Sequence, residues 1–402
     1  MNLTSEHPYW TTKNGLIANF PALSSDTECD VAVLGAGITG ALMAEALSAD
    51  GHDVVVLDAR DVCHGSTSAS TALLQYEVDT HLVDLIERHG QDRAAASYLA
   101  CYESIDMLEL RIRDLGLSDC GFTRKDSVYL ASTQKDVAAL QKEAAARRSI
   151  GIEVEEWSEK EVREKFGFSR PLALRSRQGA EVDAYRLAQG MLGAAQKRGV
   201  RIYDRTKVSG VEIDRLGVEL STERGPKVRA KYLVVASGYE SEELFDTGNC
   251  VSLHSSFALA TEPLTASGRW WKDCLLWESA RPYFYLRTDT EGRAILGGED
   301  VPFRSPTARD KLIPKKIEAL EKRYREMFPH SPMEVAYGWA GTFGETEDGL
   351  AYIGAHPKYP KCLFALGFGG NGITYSVIAT EILRNLLASK PYRYSETFSF
   401  GR

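Results

Sequence analysis

The stretch that most constrains this chain is residues 30–58, which read DVAVLGAGITGALMAEALSADGHDVVVLD. Residues 30–34 are a short apolar run that is typical of a buried strand. Residues 41–49 are good helix formers, and residues 54–57 are a second apolar run that ends on Asp58. Between the first strand and the helix stand three glycines with the spacing GxGxxG, namely Gly35, Gly37 and Gly40. This order of elements, in which a strand is followed by a glycine loop, a helix, a second strand and an acidic residue, predicts a dinucleotide-binding unit.

Each residue of this fingerprint has a physical role. Gly35 permits a tight turn, Gly37 lets the backbone approach a pyrophosphate, and Gly40 allows the helix to pack closely on the strand. The pyrophosphate is expected at the helix N-terminus, beside Ile38 and Thr39. Unpaired N–H groups and the helix dipole favour negative charge there.

The stretch after the second strand is predicted to form a second wall of the site. Asp58 stands about 20 residues beyond the last glycine, where a carboxylate can accept a hydrogen bond from a ribose hydroxyl. Ala59 and Arg60 follow, and then come small and hydroxyl residues that let a ligand approach, namely Gly65, Ser66, Thr67, Ser68 and Ala69. His64, in the same loop, is open to three interpretations: a base, a covalent cofactor anchor or an ordinary loop histidine.

Composition excludes several classes of protein. The 402 residues suffice for two domains, and a net charge of −8 argues against nucleic acid or an anionic membrane surface as partner. No apolar stretch is long enough for a transmembrane helix. The seven cysteines are scattered, which argues against a disulfide framework and against a zinc or other metal site. We therefore expect a cytoplasmic protein.

Helical periodicity predicts one or two long helices over residues 80–115 and one helix each over residues 136–148, 185–198 and 314–328. From residue 200 the pattern changes to strands. The strand that begins at Val208 can meet an adenine through its backbone groups. The apolar run of residues 232–235 ends in a turn without bulky side chains, formed by Ala236, Ser237 and Gly238. This turn is expected near the first glycine loop, or is an ordinary strand-to-turn junction.

A second glycine-rich loop opens the last helix, which is predicted to run to residue 387. A strand over residues 362–366 leads into this loop, whose residues include Gly369, Gly370, Asn371, Gly372, Ile373 and Thr374. A helix N-terminus after such a loop is a second site for negative charge. Two such sites at opposite ends of the chain suit a long cofactor, which favours FAD over NAD.

A β-hairpin is predicted over residues 283–298. Tyr285 and Arg287 share one face of its first strand. They either line a pocket or pack under the helix of residues 314–328.

Together these motifs resemble the D-amino acid oxidase/glycine oxidase superfamily of FAD-dependent oxidoreductases over about residues 28–390. The order and spacing of these motifs carry the resemblance, and the Trp339-x-Gly341 segment also matches the family. The Tyr9-Trp10 pair and residues 259–263 are most similar to the γ-glutamylputrescine oxidase branch.

The resemblance implies an α/β (α+β, two-domain) fold with non-covalent FAD. The Rossmann-type FAD-binding domain is expected over residues 1–85, 170–250 and 338–402. An antiparallel-sheet substrate domain is expected over residues 86–169 and 251–337. Every glycine-loop, turn and second-wall residue named above is expected to bind FAD, together with Gly341.

One departure from the family pattern bears on the substrate. Members that oxidise amino acids usually carry an arginine two residues after Gly341, where it binds a carboxylate, and this chain has Phe343. Amines or N-substituted amino acids are therefore the expected substrates, unless Arg287 or Arg281 supplies the positive charge. We predict Tyr285, Arg287 and Phe343 as the catalytic residues.

The predicted reaction is oxidation of a C–N bond by hydride transfer to flavin N5, which gives an imine that hydrolyses. Oxygen or another acceptor would then reoxidise the flavin. Two alternatives remain open from the sequence, namely oxidation of a C–O bond in a hydroxy acid and a non-catalytic flavin-binding assembly protein.

Overall fold

Two β-sheets organise the molecule, which a computed structural model describes over residues 2–248 and 250–402. Met1 and Asn249, inside the segments predicted to bind FAD, lie outside the described residues. The strands are β1 Thr27–Leu34, β2 Val54–Leu57, β3 Leu73–Gln75, β4 Thr123–Leu130, β5 Glu155–Ser158, β6 Leu172–Glu181, β7 Arg201–Tyr203, β8 Val208–Ile213, β9 Val218–Thr222, β10 Lys227–Val235, β11 Val251–Pro263, β12 Leu275–Glu278, β13 Phe284–Thr288, β14 Arg293–Pro302, β15 Val335–Thr346, β16 Tyr352–His356 and β17 Tyr359–Leu366.

The helices agree with the sequence periodicity, and of the one or two helices predicted over residues 80–115 the structure has two, which are separated at Gly90, whose φ is +82°. They are α1 Tyr9–Asn14, α2 Ile38–Ala49, α3 Ser66–Ala69, α4 Leu82–His89, α5 Gln91–Asp114, α6 Val137–Ser149, α7 Glu159–Phe166, α8 Ala184–Lys197, α9 Pro306–Lys311, α10 Ile313–Met327 and α11 Gly372–Leu387. Among these described helices, none combines the length and the apolar character that crossing a membrane requires.

The first sheet has the order β16-β17-β10-β1-β2-β7, with β9 and β8 added at β10. Strands β17, β10, β1, β2 and β7 run parallel. Residues 31–34 and 54–57 are buried on both faces, as expected for parallel strands covered by helices. Helix α2 packs against α8 and α11. The Rossmann-type unit predicted from residues 30–58 is therefore confirmed.

The second sheet has the order β15-β11-β14-β13-β12-β4-β6-β3, with β5 beside β6. All of its pairs are antiparallel except β12 with β4. The predicted hairpin forms from β13 and β14, where Tyr285 stands opposite Gly297. One face of this sheet packs on α10 in a separate apolar core that includes Leu286, Leu296 and Leu320. The other face is turned toward the first sheet and its loops.

The division between the sheets differs from the predicted division of the chain in three places. Strands β3 and β6, and residues 338–346 of β15, fall within segments predicted for the FAD-binding domain, yet all three strands belong to the second sheet. The alternation of apolar residues identifies a strand but not its partner. The partner is set by long-range pairing such as that between Leu174 and Tyr129.

The N-terminal segment is ordered against the second sheet. Thr4 forms a β-bridge with Gly341, and Thr342 N–H donates a 2.8 Å hydrogen bond to the Leu3 carbonyl. Tyr9 and Trp10 in α1 are 1% exposed. This segment therefore closes the edge of the second sheet beside β15.

The close packing of α2 on β1 gives a test of the fold. A Cβ at Gly40 would overlap the Gly35 carbonyl oxygen and stand 2.9 Å from the carbonyl carbon. We expect Gly40→Ala to lower the free energy of unfolding by about 3 kcal/mol, because backbone rather than a flexible side chain would have to move. The measurement is chemical or thermal unfolding followed by circular dichroism.

Gly193→Ala is the matched control, since Gly193 lies inside α8 and a Cβ there has no atom within 4 Å. This change should stabilise the protein by up to about 1 kcal/mol through helix propensity. Equal stability of the two variants would contradict the packing role of Gly40.

Candidate active site

A cavity of about 530 Å³ runs between the two sheets. It brings together stretches that are far apart in the sequence. Of the predicted cofactor residues, those on its wall are Gly35, Gly37, Ile38, Thr39, Asp58, Ala59, Arg60, Gly65, Ser66, Thr67, Ala69, Val208, Ala236, Ser237, Gly238, Gly341, Gly369, Gly370, Asn371, Gly372 and Ile373. Tyr285 and Phe343 also line it.

Three predicted cofactor residues lie behind this wall. Gly40 is the packing position of α2 on β1. Ser68 Oγ donates a 2.9 Å hydrogen bond to the Gly65 carbonyl, and Thr374 Oγ1 donates a 3.1 Å bond to the Gln75 carbonyl. The structure therefore places these three as supports of the cavity wall rather than as part of its surface.

The first glycine loop is narrow because backbone groups meet there. Gly35 has a φ of +104°, and a Cβ on it would overlap the Ala236 carbonyl at the end of β10. A Cβ on Gly37 would stand 3.0 Å from Thr67 Oγ1. The same hydroxyl accepts a 3.0 Å hydrogen bond from Ile38 N–H, at the start of α2. The loop and the residues of α3 thus form two sides of one slot.

Asp58 holds the end of β2 against this loop. Its Oδ2 accepts a 2.7 Å hydrogen bond from Ala36 N–H, and its Oδ1 accepts a 2.9 Å bond from Arg60 N–H. Burial raises the pKa of the carboxyl group, while these two backbone bonds and the charge of Arg60 lower it. Arg60 also forms a 2.6 Å ion pair with Glu240, which lines the cavity near Val208. This end of the cavity is polar.

The opposite end is formed by the loop before α11. Asn371 Nδ2 donates hydrogen bonds to the carbonyls of Gln75 and Glu77, at 3.2 and 3.0 Å. Gly370 N–H donates a 2.7 Å bond to Asp79 Oδ2. These bonds fix the start of a 16-residue helix at the cavity, where its dipole favours negative charge.

The cavity fits FAD on three observations. The N-termini of two long helices, α2 and α11, both lie on its wall. Ser237 Oγ is buried on the same wall without a hydrogen-bond partner among the described residues, as expected of a group that bonds to a ligand. Gly37 and Gly341 leave room where side chains would intrude.

The second sheet supplies the remaining wall. The Tyr285 ring lies over Gly297, and burial raises the pKa of its hydroxyl to about 12, so that the hydroxyl stays protonated. Phe343 packs against His254 with ring centroids 5.6 Å apart. Trp339 Nε1 donates a 2.9 Å hydrogen bond to the Ala69 carbonyl, which joins this wall to the second-wall loop.

Two predictions about individual side chains need correction. Arg287 is 1% exposed and does not line the cavity; it donates a 2.9 Å hydrogen bond to the Val182 carbonyl and stacks over Trp10. Although Arg287 shares a face with Tyr285, α1 covers its end of the strand. Arg281 is exposed and stacks on the Tyr283 ring, also outside the cavity lining. His64 bonds to the Val62 carbonyl at 3.0 Å and packs on Tyr185, as an ordinary loop histidine does.

Sequence reasoning missed four groups on the wall near Tyr285, namely Asp79, Ser256, Tyr283 and Asp300. Asp300 comes two residues after the pair of glycines at the end of the predicted hairpin. Glycine in a strand often marks a bulge or the close approach of a ligand or another backbone, so these glycines were a signal in the sequence. Asp79 and Ser256 lie outside any motif, so no local pattern points to them.

The geometry of Asp58 leads to a prediction about the cofactor. We expect Asp58→Asn to weaken FAD retention at least about tenfold, since an amide cannot accept both backbone hydrogen bonds as a carboxylate does. Flavin content after purification and FAD titration of the apoprotein would measure the loss. Asp30→Asn is the control, because Asp30 lies in the first half of β1, away from the glycine loop, and pairs with Lys231. An unchanged flavin affinity in Asp58→Asn would contradict the proposed role.

Comparison with known proteins agrees with this geometry. The family described as FAD dependent oxidoreductase (DAO) matches residues 30–386. A Bacillus subtilis (strain 168) protein that is named for a Rieske 2Fe-2S centre is 24% identical over 98% of this chain and 75% of its own length. The γ-glutamylputrescine oxidoreductase of Escherichia coli (strain K12) is 25% identical over 96% of this chain and 90% of its own.

Among solved structures, glycine oxidase from Geobacillus kaustophilus superposes with a TM-score of 0.76 at 22% identity, over 93% of this chain and 99% of that one. This likeness establishes the fold. The family match covers most of the 402 residues. The chain therefore belongs to the DAO family and is an FAD-dependent oxidoreductase.

Proposed function

We propose that the protein oxidises the C–N bond of an amine that carries no α-carboxylate. The observation that carries this proposal is the sign of the charge around Tyr285 and Phe343. Among the described residues that line the cavity, Arg60 and Lys207 are the basic ones, and both lie near Val208 and Glu240, where the adenine is expected. Near Tyr285 the charged lining residues are Asp79 and Asp300.

A carboxylate-bearing substrate would be disfavoured by this arrangement. Phe343 occupies the position where related amino acid oxidases are expected to carry arginine, and its ring faces the cavity. A carboxylate brought between Phe343 and two acidic side chains would lose its hydration without a compensating charge. An amine meets groups of favourable sign instead. The relatives named for γ-glutamylputrescine and glycine support a nitrogen-containing substrate.

The side chains of the second sheet would orient such a substrate. The rings of Tyr285, Phe343 and Trp339 offer an apolar wall for a carbon chain and exclude water from it. Bound FAD supplies the two-electron acceptor, which takes a hydride from the carbon beside the nitrogen. The start of α11 directs N–H groups toward the cavity, where they stabilise negative charge.

The overall reaction balances as follows. The neutral amine loses two electrons and two protons to become an imine, and water converts the imine to a carbonyl compound and ammonia or a smaller amine. Oxygen or another acceptor takes the electrons from the cofactor.

We also infer a cytoplasmic location, which the seven unpaired cysteines support.

Anaerobic titration of the purified flavoprotein tests this function. A panel of amines, N-alkyl amino acids and D-amino acids would be added while the oxidised flavin band is followed. We expect amines without a carboxylate to reduce the flavin. If only carboxylate-bearing compounds reduce it, the proposal is wrong; reduction by hydroxy acids alone would point to oxidation of a C–O bond. A flavin that dithionite reduces but no substrate does would indicate a non-catalytic role.

Phe343→Arg gives a sharper prediction. The new guanidinium would face the cavity and favour a carboxylate, so the ratio of kcat/KM for an amino acid over its decarboxylated amine should rise about tenfold or more. Phe343→Leu is the control: it removes the ring without adding charge and should leave this ratio unchanged. If both variants change the ratio equally, Phe343 does not select by charge.

A further inference from the structure

Asp300 reaches the cavity because β14 contains a bulge. Up to Gly297 the strand alternates, with residues 295 and 297 facing the first sheet and Leu296 facing α10. Between Phe257 and Ser255 of β11 the register with β14 shifts, so that Glu299 and Asp300 together stand opposite Ser256. Glu299 has a φ of +58°. Such a conformation is costly for a residue with a side chain, and it is common beside functional sites.

The bulge reverses the faces of the sheet on which the side chains of Glu299 and Asp300 lie. Simple alternation would turn Glu299 toward the cavity and Asp300 toward α10. Instead Glu299 forms ion pairs with Lys316 and Arg323 of α10, at 3.0 and 3.4 Å, and Asp300 lines the cavity. A carboxylate is thus placed in the active-site cavity by a local distortion of the sheet.

The environment of Asp300 holds more negative than positive charge. Its Oδ1 is buried and accepts no hydrogen bond from the described residues. Burial, together with the charges of Asp79 and Glu345, raises the pKa of the carboxyl group to about 6, against the lowering effect of a Ser256 hydrogen bond and the Arg281 charge. Since one oxygen of this half-buried carboxylate has no hydrogen-bond partner among the described residues and the charge around it is mainly negative, the site favours binding of a cation.

The groups around Asp300 add to this preference. Asp79 and Glu345 bring further negative charge, and Glu345 has His254 at 3.7 Å. Arg281 is exposed, and its guanidinium lies over the Tyr283 ring, 3.3 Å from the ring centroid. Tyr283 and Tyr285 present rings to the cavity. Aromatic rings beside carboxylates form a recognised type of ammonium-binding site.

Asp300 is better suited to a cation other than the amine that reacts. A hydride leaves the carbon only when the neighbouring nitrogen is neutral, and an adjacent carboxylate favours the protonated form of an amine. We propose that Asp300 binds a second, non-reacting ammonium group, so that the substrate is an alkyl diamine or polyamine. This inference rests on the proposed oxidation of amines and names the substrate class.

The test compares matched monoamines and diamines from three to six carbons with wild-type holoenzyme and with Asp300→Asn, by anaerobic flavin reduction and steady-state kinetics. We expect wild type to prefer one diamine over the monoamine of the same length. In Asp300→Asn, kcat/KM for that diamine should fall about 10- to 100-fold, the usual weight of a charged hydrogen bond, while the monoamine value stays unchanged. The selective loss separates binding of a second cation from a general structural effect.

Glu299→Gln is the matched control, because it makes the same chemical change one residue away but on the α10 side of the sheet. It should retain the preference for the diamine. A further readout is pH: the preference should weaken as the pH falls below about 6, where Asp300 takes up a proton and loses its charge. Asp300→Asn should lack this dependence.

The possible negative results of this test distinguish an error in the second-cation site from an error in the proposed function. If wild type oxidises monoamines and diamines equally well, or if Asp300→Asn slows both alike, the second-cation site is wrong and the oxidation of amines stands. The equal slowing would instead indicate that Asp300 acts on the reacting nitrogen. If no amine reduces the flavin, the proposed function itself is wrong and the diamine site with it.

Discussion

The close approach of β1 and β10 at their carboxyl ends is the constraint on which the rest of the site depends. Gly35 and the Ala236 carbonyl meet so closely that a Cβ cannot fit between them, and Gly40 meets Gly35 in the same way from the helix. This contact sets the position of the α2 N-terminus and brings Ser237 to the cavity wall. Two strands distant in the sequence thus form one cofactor slot.

The second sheet is fixed to this slot by hydrogen bonds that converge on one short loop. Trp10 Nε1 donates a 2.6 Å bond to the Ser70 carbonyl, and Trp339 Nε1 donates a 2.9 Å bond to the Ala69 carbonyl. The N-terminal segment continues the arrangement through the bridge between Thr4 and Gly341. Because the loop touches both sheets, the distance between cofactor and substrate wall depends on these buried indoles.

The sequence predicts most of the cofactor site because glycine loops and helix starts are local features. Gly37 and Gly370 belong to glycine loops that directly precede helices, a pattern visible within a few residues, and they lie on the cavity wall as expected. The substrate side is different. The side chains of Tyr285 and Arg287 lie on the same face of β13, yet α1, which is distant in the sequence, packs over Arg287 alone. Asp300 needs a bulge that simple alternation does not predict.

The division of roles between the two sheets explains how a common fold can serve different substrates. The cofactor contacts come from loops of the first sheet, and the charge at the reacting end comes from side chains of the second. With Phe343 in place of the expected arginine and Asp300 on the cavity wall, we propose that this end binds cations rather than anions. Because one oxygen of Asp300 accepts no hydrogen bond from the described residues, a cationic substrate would lower the free-energy cost of burying this carboxylate. Selectivity then depends on the sheet surface, while the frame that holds FAD stays the same.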